Sequence, residues 1–171
     1  KEAIVVPVYK KGNHDLIENY RPISLTCVSR RIYERLLCWK LKNLDFKLNR
    51  SQAGFRATRN TTDHLICVNE TLISNPEAIH GFLDLKSAYD LVNRNILWSR
   101  MARYLELEKE DLIMIRALFD ENESYIVVKG KKSGKIRNLR GLLQGSSLSP
   151  CLSNHFINGL IEELSNERTI M

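Results

Sequence analysis

Two aspartates in the stretch GFLDLKSAYD are the acidic groups whose setting most favours chemistry. Asp84 follows an apolar run with the pattern of a buried strand, and Asp90 comes six residues later. A carboxylate at the end of such a strand costs free energy unless a cation or solvent meets it. Mg²⁺ prefers oxygen ligands and takes few of them from the protein, so Asp84 is a candidate metal ligand. An exposed aspartate at the strand end is the alternative, and Asp90 is interpreted as a helix cap.

The loop GLLQGSSLSP is a second candidate site, centred on Gln144 and Gly145. A glycine lets the backbone approach a ligand closely, and an amide and hydroxyls beside a helix N-terminus offer donors to an anion. An ordinary glycine-containing loop before a capped helix fits the same pattern. Ser149 as N-cap and Pro150 as the first helical residue are expected to open that helix.

Four cations in turn-forming or glycine-containing stretches are candidates for binding phosphate: Lys10, Lys11, Arg21 and Arg56. Arginine donates two parallel hydrogen bonds to a phosphate, whereas lysine acts as a compact charge. Two cations flanking one turn are able to hold a triphosphate. Solvated loop charges are the alternative interpretation for each of them taken singly.

The charge distribution favours an anionic partner for the first part of the chain. Residues 1–60 contain 13 Lys and Arg against 5 Asp and Glu, hence +8, whereas residues 61–171 contain 13 against 15, hence −2. Nucleic acid is the commonest partner of such a basic segment, and a solvated basic face is the alternative.

The composition excludes several classes of protein. The 171 residues are 43% hydrophobic and 27% charged, which predicts one ordinary domain or part of a larger one, with a core. The four cysteines have no C-x-x-C pair, so neither a disulfide scaffold nor a zinc knuckle is expected. No apolar run is long enough for a bilayer and no signal peptide begins the chain, so we expect an intracellular protein of the nucleus or cytoplasm, without a membrane.

The elements that must position these groups follow from apolar periodicity. Strands are predicted at EAIVVPVY and at Ile79–Leu85, and a β-hairpin is predicted over 125–139 with its turn at Gly130–Gly134. Helices are predicted at Cys27–Lys42 with a basic outer side, after a cap at Thr61 or Thr62, at Asn95–Leu105, at Lys109–Asp120 and after Ser149. This pattern indicates an α+β fold with an antiparallel sheet and packed helices.

Four stretches, taken in order, resemble successive motifs of the reverse transcriptase family, most closely the enzymes of non-LTR (LINE-like) retrotransposons: NYRPISL, QAGFR, GFLDLKSAYDLVN and GLLQGSSLSP. The resemblance runs from about Ile4 to Asn158, and four motifs in register are more specific than any one. It implies a right-hand polymerase fold. Residues 1–75 would be fingers and early palm, and residues 76–171 would be palm.

The resemblance implies an RNA-directed DNA polymerase, a nucleotidyltransferase that transfers the nucleotidyl group of a dNTP to the 3′-hydroxyl of a DNA primer on an RNA template, with pyrophosphate as the leaving group. In the complete enzyme two Mg²⁺ ions would lie between aspartates. Asp84 would be the first metal-binding aspartate, assisted by the Leu85 carbonyl, and Tyr89 would exclude a ribose 2′-hydroxyl. The remaining matched positions would bind nucleotide (Lys10 or Lys11, Arg21, Gln144 and Gly145) or template (Arg56).

The family carries a further motif, aromatic-x-Asp-Asp, and this sequence contains no Asp-Asp pair. Glu162 and Glu163 are adjacent, but the predicted helix makes them poor substitutes. We therefore expect an incomplete domain, truncated before that motif, with little or no polymerase activity alone. A non-catalytic nucleic-acid-binding remnant of a retroelement is one alternative. A maturase-type reverse transcriptase of mobile introns is another, although NYRPISL fits it less well.

Overall fold

A mixed five-stranded sheet forms one side of the molecule. The computed structural model describes residues 2–43, 47–104, 107–120 and 122–167. The strands are β1 (Glu2–Tyr9), β2 (Tyr20–Leu25), β3 (Glu123–Val128), β4 (Lys131–Lys132) and β5 (Ile136–Arg137). Strand β1 lies between β2, to which it is antiparallel, and β3, to which it is parallel. Both β4 and β5 pair antiparallel with β3.

The helices agree closely with the periodicity of the sequence. They are α1 (Val28–Lys42), α2 (Thr61–Ser74), α3 (Arg94–Tyr104), α4 (Lys109–Phe119) and α5 (Ser149–Glu167). The predicted α+β class is confirmed, although the sheet is mixed rather than wholly antiparallel. Leu105, predicted to end α3, lies outside the described residues. No helix in the described part of the chain is long and apolar enough to cross a membrane.

The predicted hairpin is confirmed with a tighter turn. Lys129 and Gly130 join β3 to β4 with φ angles of 48° and 76°. Two successive residues with positive φ match the strand twist, as in two-residue hairpin turns. The returning chain then breaks between β4 and β5 instead of forming one strand over 135–139.

Strands from both ends of the chain meet in this sheet, because β1 and β2 precede residue 75 whereas β3 to β5 follow it. The register of β1 with β2 sets Pro7 opposite Pro22. Proline has no backbone N–H to donate, but the ladder between β1 and β3 ends at Val5. Pro7 therefore interrupts no hydrogen bond between these two strands. The division into fingers (1–75) and palm (76–171) stays a prediction.

The hydrophobic core lies between the helices and the loop that leads into α5. Its buried members are Leu37, Leu41, Val92, Leu97, Trp98, Met101, Ile115, Phe119, Leu142, Leu143, Leu148, Cys151 and Leu152. Leu142, Leu143 and Leu148 flank the glutamine–glycine pair on both sides in sequence. Burying these three side chains therefore anchors that loop on the core.

The basic outer side predicted for α1 is only partly correct. Arg31 and Arg35 are exposed, but Glu34 is fully buried and the side chain of Arg30 is 9% exposed. The two buried side chains form an ion pair with a distance of 2.8 Å. Four apolar residues of the same helix are instead exposed: Val28, Ile32, Leu36 and Trp39.

The strand predicted at Ile79–Leu85 is wrong. This segment is irregular, and Ile79, Phe82 and Leu83 are 100%, 80% and 91% exposed. In the described sheet β3 already has β1 on one side and β4 and β5 on the other. An apolar run becomes a strand only where a neighbouring strand can satisfy its backbone groups, and this run has no such neighbour among the described residues.

Candidate nucleotide-binding site

A cavity of about 1020 Å³ opens between the β1–β2 connection, the segment before α3 and the loop before α5. Seven of the predicted site residues line it: Lys10, Arg21, Asp84, Leu85, Tyr89, Gln144 and Gly145. Its volume reaches the upper end of the roughly 300–1,000 Å³ common for ligand sites. Predicted site residues up to 135 positions apart in sequence, Lys10 and Gly145, therefore line the same cavity.

Two predicted residues, Lys11 and Arg56, do not line this cavity. Lys11 is exposed in the β1–β2 connection. The Nη1 atom of Arg56 donates to the carbonyl oxygens of Asn49 and Gln52 at 3.0 and 2.9 Å. Arg56 therefore fastens its own loop, and the neighbouring Phe55 lines the cavity in its place.

The β1–β2 connection fixes the cations on one wall. The backbone N–H of Lys10 donates to the carbonyl oxygen of Asn19 at 2.8 Å, which closes the connection. The ring of Tyr9 stacks on that of His14 with centroids 3.9 Å apart. Arg21 follows as the second residue of β2, so both cations stand at the same end of the paired strands.

The opposite wall is a turn that ends in Tyr89 and Asp90. The carbonyl oxygen of Ser87 accepts from the backbone N–H of Asp90 at 3.0 Å, and Ser87 has a φ of +53°. The carbonyl oxygen of Tyr89 accepts from the N–H of Leu142 at 2.8 Å. These bonds hold the turn against the glutamine–glycine loop. Burial raises the pKa of Tyr89, so its phenol stays neutral at physiological pH.

The glutamine–glycine loop crosses the outer edge of β2. The backbone N–H of Ser24 donates to the carbonyl oxygen of Gln144 at 2.7 Å. Gly145 follows with a φ of +109°, and a Cβ on it would lie 2.7 Å from the carbonyl oxygen of Ser24. Only glycine fits here without strain, because the positive φ angle disfavours other residues and there is no space for a Cβ.

Asp90 contacts Gln144 of the glutamine–glycine loop and caps none of the described helices, so its predicted role as a cap is wrong. Nε2 of Gln144 lies 3.3 and 3.4 Å from the two carboxylate oxygens of Asp90. Helix α3 is capped by Asn93, whose Oδ1 accepts from the N–H groups of Asn95 and Ile96 at 3.0 and 3.2 Å. Because the Asp90–Gln144 contact spans 54 positions, no local pattern indicates it.

The start of α5 contributes a hydroxyl to the cavity. The helix begins at Ser149, so Ser149 is not its N-cap and Pro150 is not its first residue. Ser149 is 1% exposed, lines the cavity, and its Oγ has no hydrogen-bond partner among the described residues. This buried hydroxyl is available to a ligand.

Oxygen donors on the turn side suit a hard cation. Asp84, Leu85 and Asp90 line the cavity, and Mg²⁺ prefers the carboxylate and carbonyl oxygens that such residues carry. Across the described residues, no three His, Cys, Asp or Glu side chains cluster closely enough to hold a metal. The residues therefore fit part of a Mg²⁺ coordination sphere, which usually also includes water and substrate phosphate.

The sequence matches the family described as reverse transcriptase (RNA-dependent DNA polymerase) over residues 8–171, and the chain belongs to this family. The RNA-directed DNA polymerase from mobile element jockey of Drosophila melanogaster is 27% identical over 94% of this chain and 18% of that protein. Two Pol polyproteins from type-1 retrotransposable element R2 are also similar. The Popillia japonica protein is 25% identical over 92% of this chain and 22% of its own length. The Nasonia vitripennis protein is 28% identical over 85% and 14%.

These relatives confirm the predicted type, a LINE-like reverse transcriptase domain. The chain spans less than a quarter of the length of each of them.

Proposed function

We propose that this chain is the nucleotide-binding part of an RNA-directed DNA polymerase of a non-LTR retrotransposon. The reaction transfers a nucleotide from a dNTP to the 3′-hydroxyl of a DNA primer paired with an RNA template. The observation that carries the proposal is one cavity lined by residues of all four family motifs: Arg21, Phe55, Asp84 and Gln144.

The cations and the loop have separate roles toward the nucleotide. Lys10 and Arg21 bind the triphosphate, where the arginine fork supplies two parallel donors. Gln144 and Gly145 bind the sugar and base side, and the absence of a Cβ on Gly145 lets this loop lie close against the Ser24 carbonyl of β2. Tyr89 closes the pocket against a ribose 2′-hydroxyl by its bulk.

Asp84, with the Leu85 carbonyl, would hold Mg²⁺ on the turn side of the cavity. Bound Mg²⁺ supplies charge stabilisation at phosphate oxygens and lowers the pKa of an attacking hydroxyl. The family's aromatic-x-Asp-Asp motif is not among these 171 residues. We therefore expect two-metal transfer to need that further acid, and the 171-residue polypeptide to show little polymerase activity by itself.

A nucleotide-binding measurement tests this proposal without requiring turnover. Calorimetric titration with dTTP and Mg²⁺ should give saturable binding, and Arg21→Ala should weaken it roughly 10-fold or more, because a charge-assisted contact is lost. Arg31→Ala is the matched control, since Arg31 is an exposed arginine of α1 outside the cavity. Equal affinities of the two variants, or no binding by the parent chain, would count against the proposal.

A nucleic-acid-binding remnant without catalysis is the second candidate. The excess of +8 within residues 1–60 favours it. That function predicts salt-dependent binding of RNA with no saturable binding of dTTP. The same titration, repeated with a single-stranded RNA, therefore separates the two candidates.

A further inference from the structure

A buried carboxylate that does not line the cavity binds the backbone of the glutamine–glycine loop. Glu34 lies on α1 with 0% of its surface exposed, and it does not line the cavity. Its Oε1 accepts from Nε of Arg30 at 2.8 Å. Its Oε2 accepts from the backbone N–H of Ser147 at 3.1 Å. Ser147 is two residues beyond Gly145, so this bond acts on the loop itself.

The guanidinium beside Glu34 is itself fixed by several contacts. Nη1 of Arg30 donates to Oδ1 of Asn122 at 3.0 Å, and Nδ2 of Asn122 donates to the carbonyl oxygen of Leu118. The Cζ atom of Arg30 lies 5.9 Å from the ring centroid of Phe119. The end of α4 therefore orients Arg30, and Arg30 orients Glu34.

The loop is held between two elements as a result. On one side the backbone N–H of Ser24 in β2 donates to the Gln144 carbonyl oxygen, and a Cβ on Gly145 would lie 2.7 Å from the Ser24 carbonyl oxygen. On the other side Glu34 of α1 binds Ser147. A hydrogen bond from an N–H to a buried carboxylate is stronger than a neutral one, and water cannot replace it at a buried site.

We propose that Glu34 is a positioning residue of the nucleotide site. Its carboxylate sets where the Gln144–Ser149 loop lies without contacting the ligand. This role rests on the proposed nucleotide binding. A buried ion pair is weak evidence for stability, because apolar residues of similar volume often replace such a pair at no cost. Positioning and plain stabilisation therefore predict different outcomes for nucleotide affinity.

The test compares the 171-residue chain with Glu34→Gln, Glu34→Leu and Leu41→Ala. Leu41 is a core residue of the same helix, 1% exposed, so its truncation destabilises the fold without removing the bond to Ser147. Three quantities are measured: the free energy of unfolding, the hydrogen-exchange rate of the Ser147 amide, and dTTP affinity with Mg²⁺ at a temperature where each variant is folded.

Glu34→Leu should speed exchange of the Ser147 amide roughly 10- to 100-fold, because it removes a charged acceptor. Glu34→Gln keeps a neutral acceptor of the same size. It should therefore speed Ser147 exchange less than Glu34→Leu does, and it should retain part of the dTTP affinity that Glu34→Leu loses. Leu41→Ala should lower stability and leave dTTP affinity unchanged. If Glu34→Leu does not fold, Glu34→Gln carries the comparison.

Unchanged Ser147 exchange in the Glu34 variants would overturn the proposal, as would an equal loss of dTTP affinity in Leu41→Ala. Failure of the parent chain to bind dTTP would refute the proposed function instead. In that case the exchange rate of Ser147 still decides whether Glu34 holds the loop.

Discussion

Gly145 shows at the level of one residue how tightly the candidate site is built. Its φ of +109° and the 2.7 Å approach of a Cβ to the Ser24 carbonyl exclude any side chain. Gly145→Ala should therefore lower the free energy of unfolding by roughly 1–3 kcal/mol, measured by urea titration. Gly134→Ala is the matched control, because Gly134 has open space and no positive φ. An equal, small effect of both substitutions would contradict the close approach of Gly145 to β2.

The buried His155 should make the free energy of unfolding depend on pH. It is 7% exposed, Nε2 has no partner among the described residues, and burial lowers the pKa of its imidazole to about 4. As the pH falls below 6.5 the unfolded chain takes up a proton that the folded chain refuses until about pH 4. Stability should therefore fall between these values, by up to about 3 kcal/mol.

Unfolding titrations from pH 8 to pH 4 measure that contribution. His155→Gln should flatten the acid loss, whereas His64→Gln, at an exposed position of α2, serves as the matched control. A parent chain whose acid loss of stability is no steeper than that of His155→Gln would show that His155 titrates normally.

Individual site residues differ in how far sequence predicts them. Arg21, Asp84 and Gln144 are predicted because family motifs mark them, and all three line one cavity. Glu34 gives no such signal, since a glutamate in a basic, amphipathic helix is expected to face solvent. Its partner Ser147 is 113 positions away. Sequence periodicity reports the faces of one element, whereas such contacts depend on how elements are brought together.

Helix α2 shows, for a whole element, that periodicity predicts where a helix lies but not what it packs against. Its position follows from apolar spacing, yet none of its residues is buried. The cap is Asn60 rather than the predicted Thr61 or Thr62, because Asn60 and Asp63 exchange side-chain and backbone hydrogen bonds. A capping box satisfies two donors that the first turn leaves open.

Because α2 buries no side chain, its stability should depend strongly on this cap. Asn60→Ala should destabilise the helix by about 1 kcal/mol, seen as faster hydrogen exchange throughout α2. Thr61→Ala is the control that separates the two cap assignments. Greater loss of protection in Thr61→Ala would restore the cap predicted from the sequence.

The segment 79–85 and helix α1 explain where apolar pattern misleads. Both carry apolar residues at spacings typical of buried elements, and both leave many of them exposed. Pattern predicts which face of an element is suited to burial, but burial also requires a neighbour. The described residues supply that neighbour for Leu37 and Leu41 of α1, but not for Ile32 or Leu36.

The whole molecule therefore exposes a large apolar surface. Val28, Ile32, Leu36 and Trp39 of α1 are 71%, 58%, 59% and 66% exposed. Contiguous patches of this kind favour association in water. Sedimentation velocity should show self-association that increases with concentration, and the double variant Ile32→Lys/Leu36→Glu should reduce it at unchanged stability. A parent chain that stays monomeric at every concentration would contradict this prediction.

The proposed function of the molecule depends on Asp84 acting as a cation ligand in a nucleotide site. The direct measurement is dTTP affinity with and without Mg²⁺, for the parent chain, Asp84→Asn and Glu70→Gln. Glu70 is an exposed carboxylate of α2 outside the cavity. We predict that Mg²⁺ strengthens dTTP binding by the parent chain and by Glu70→Gln, and that Asp84→Asn loses this enhancement. Full Mg²⁺ enhancement in Asp84→Asn would contradict this role of Asp84.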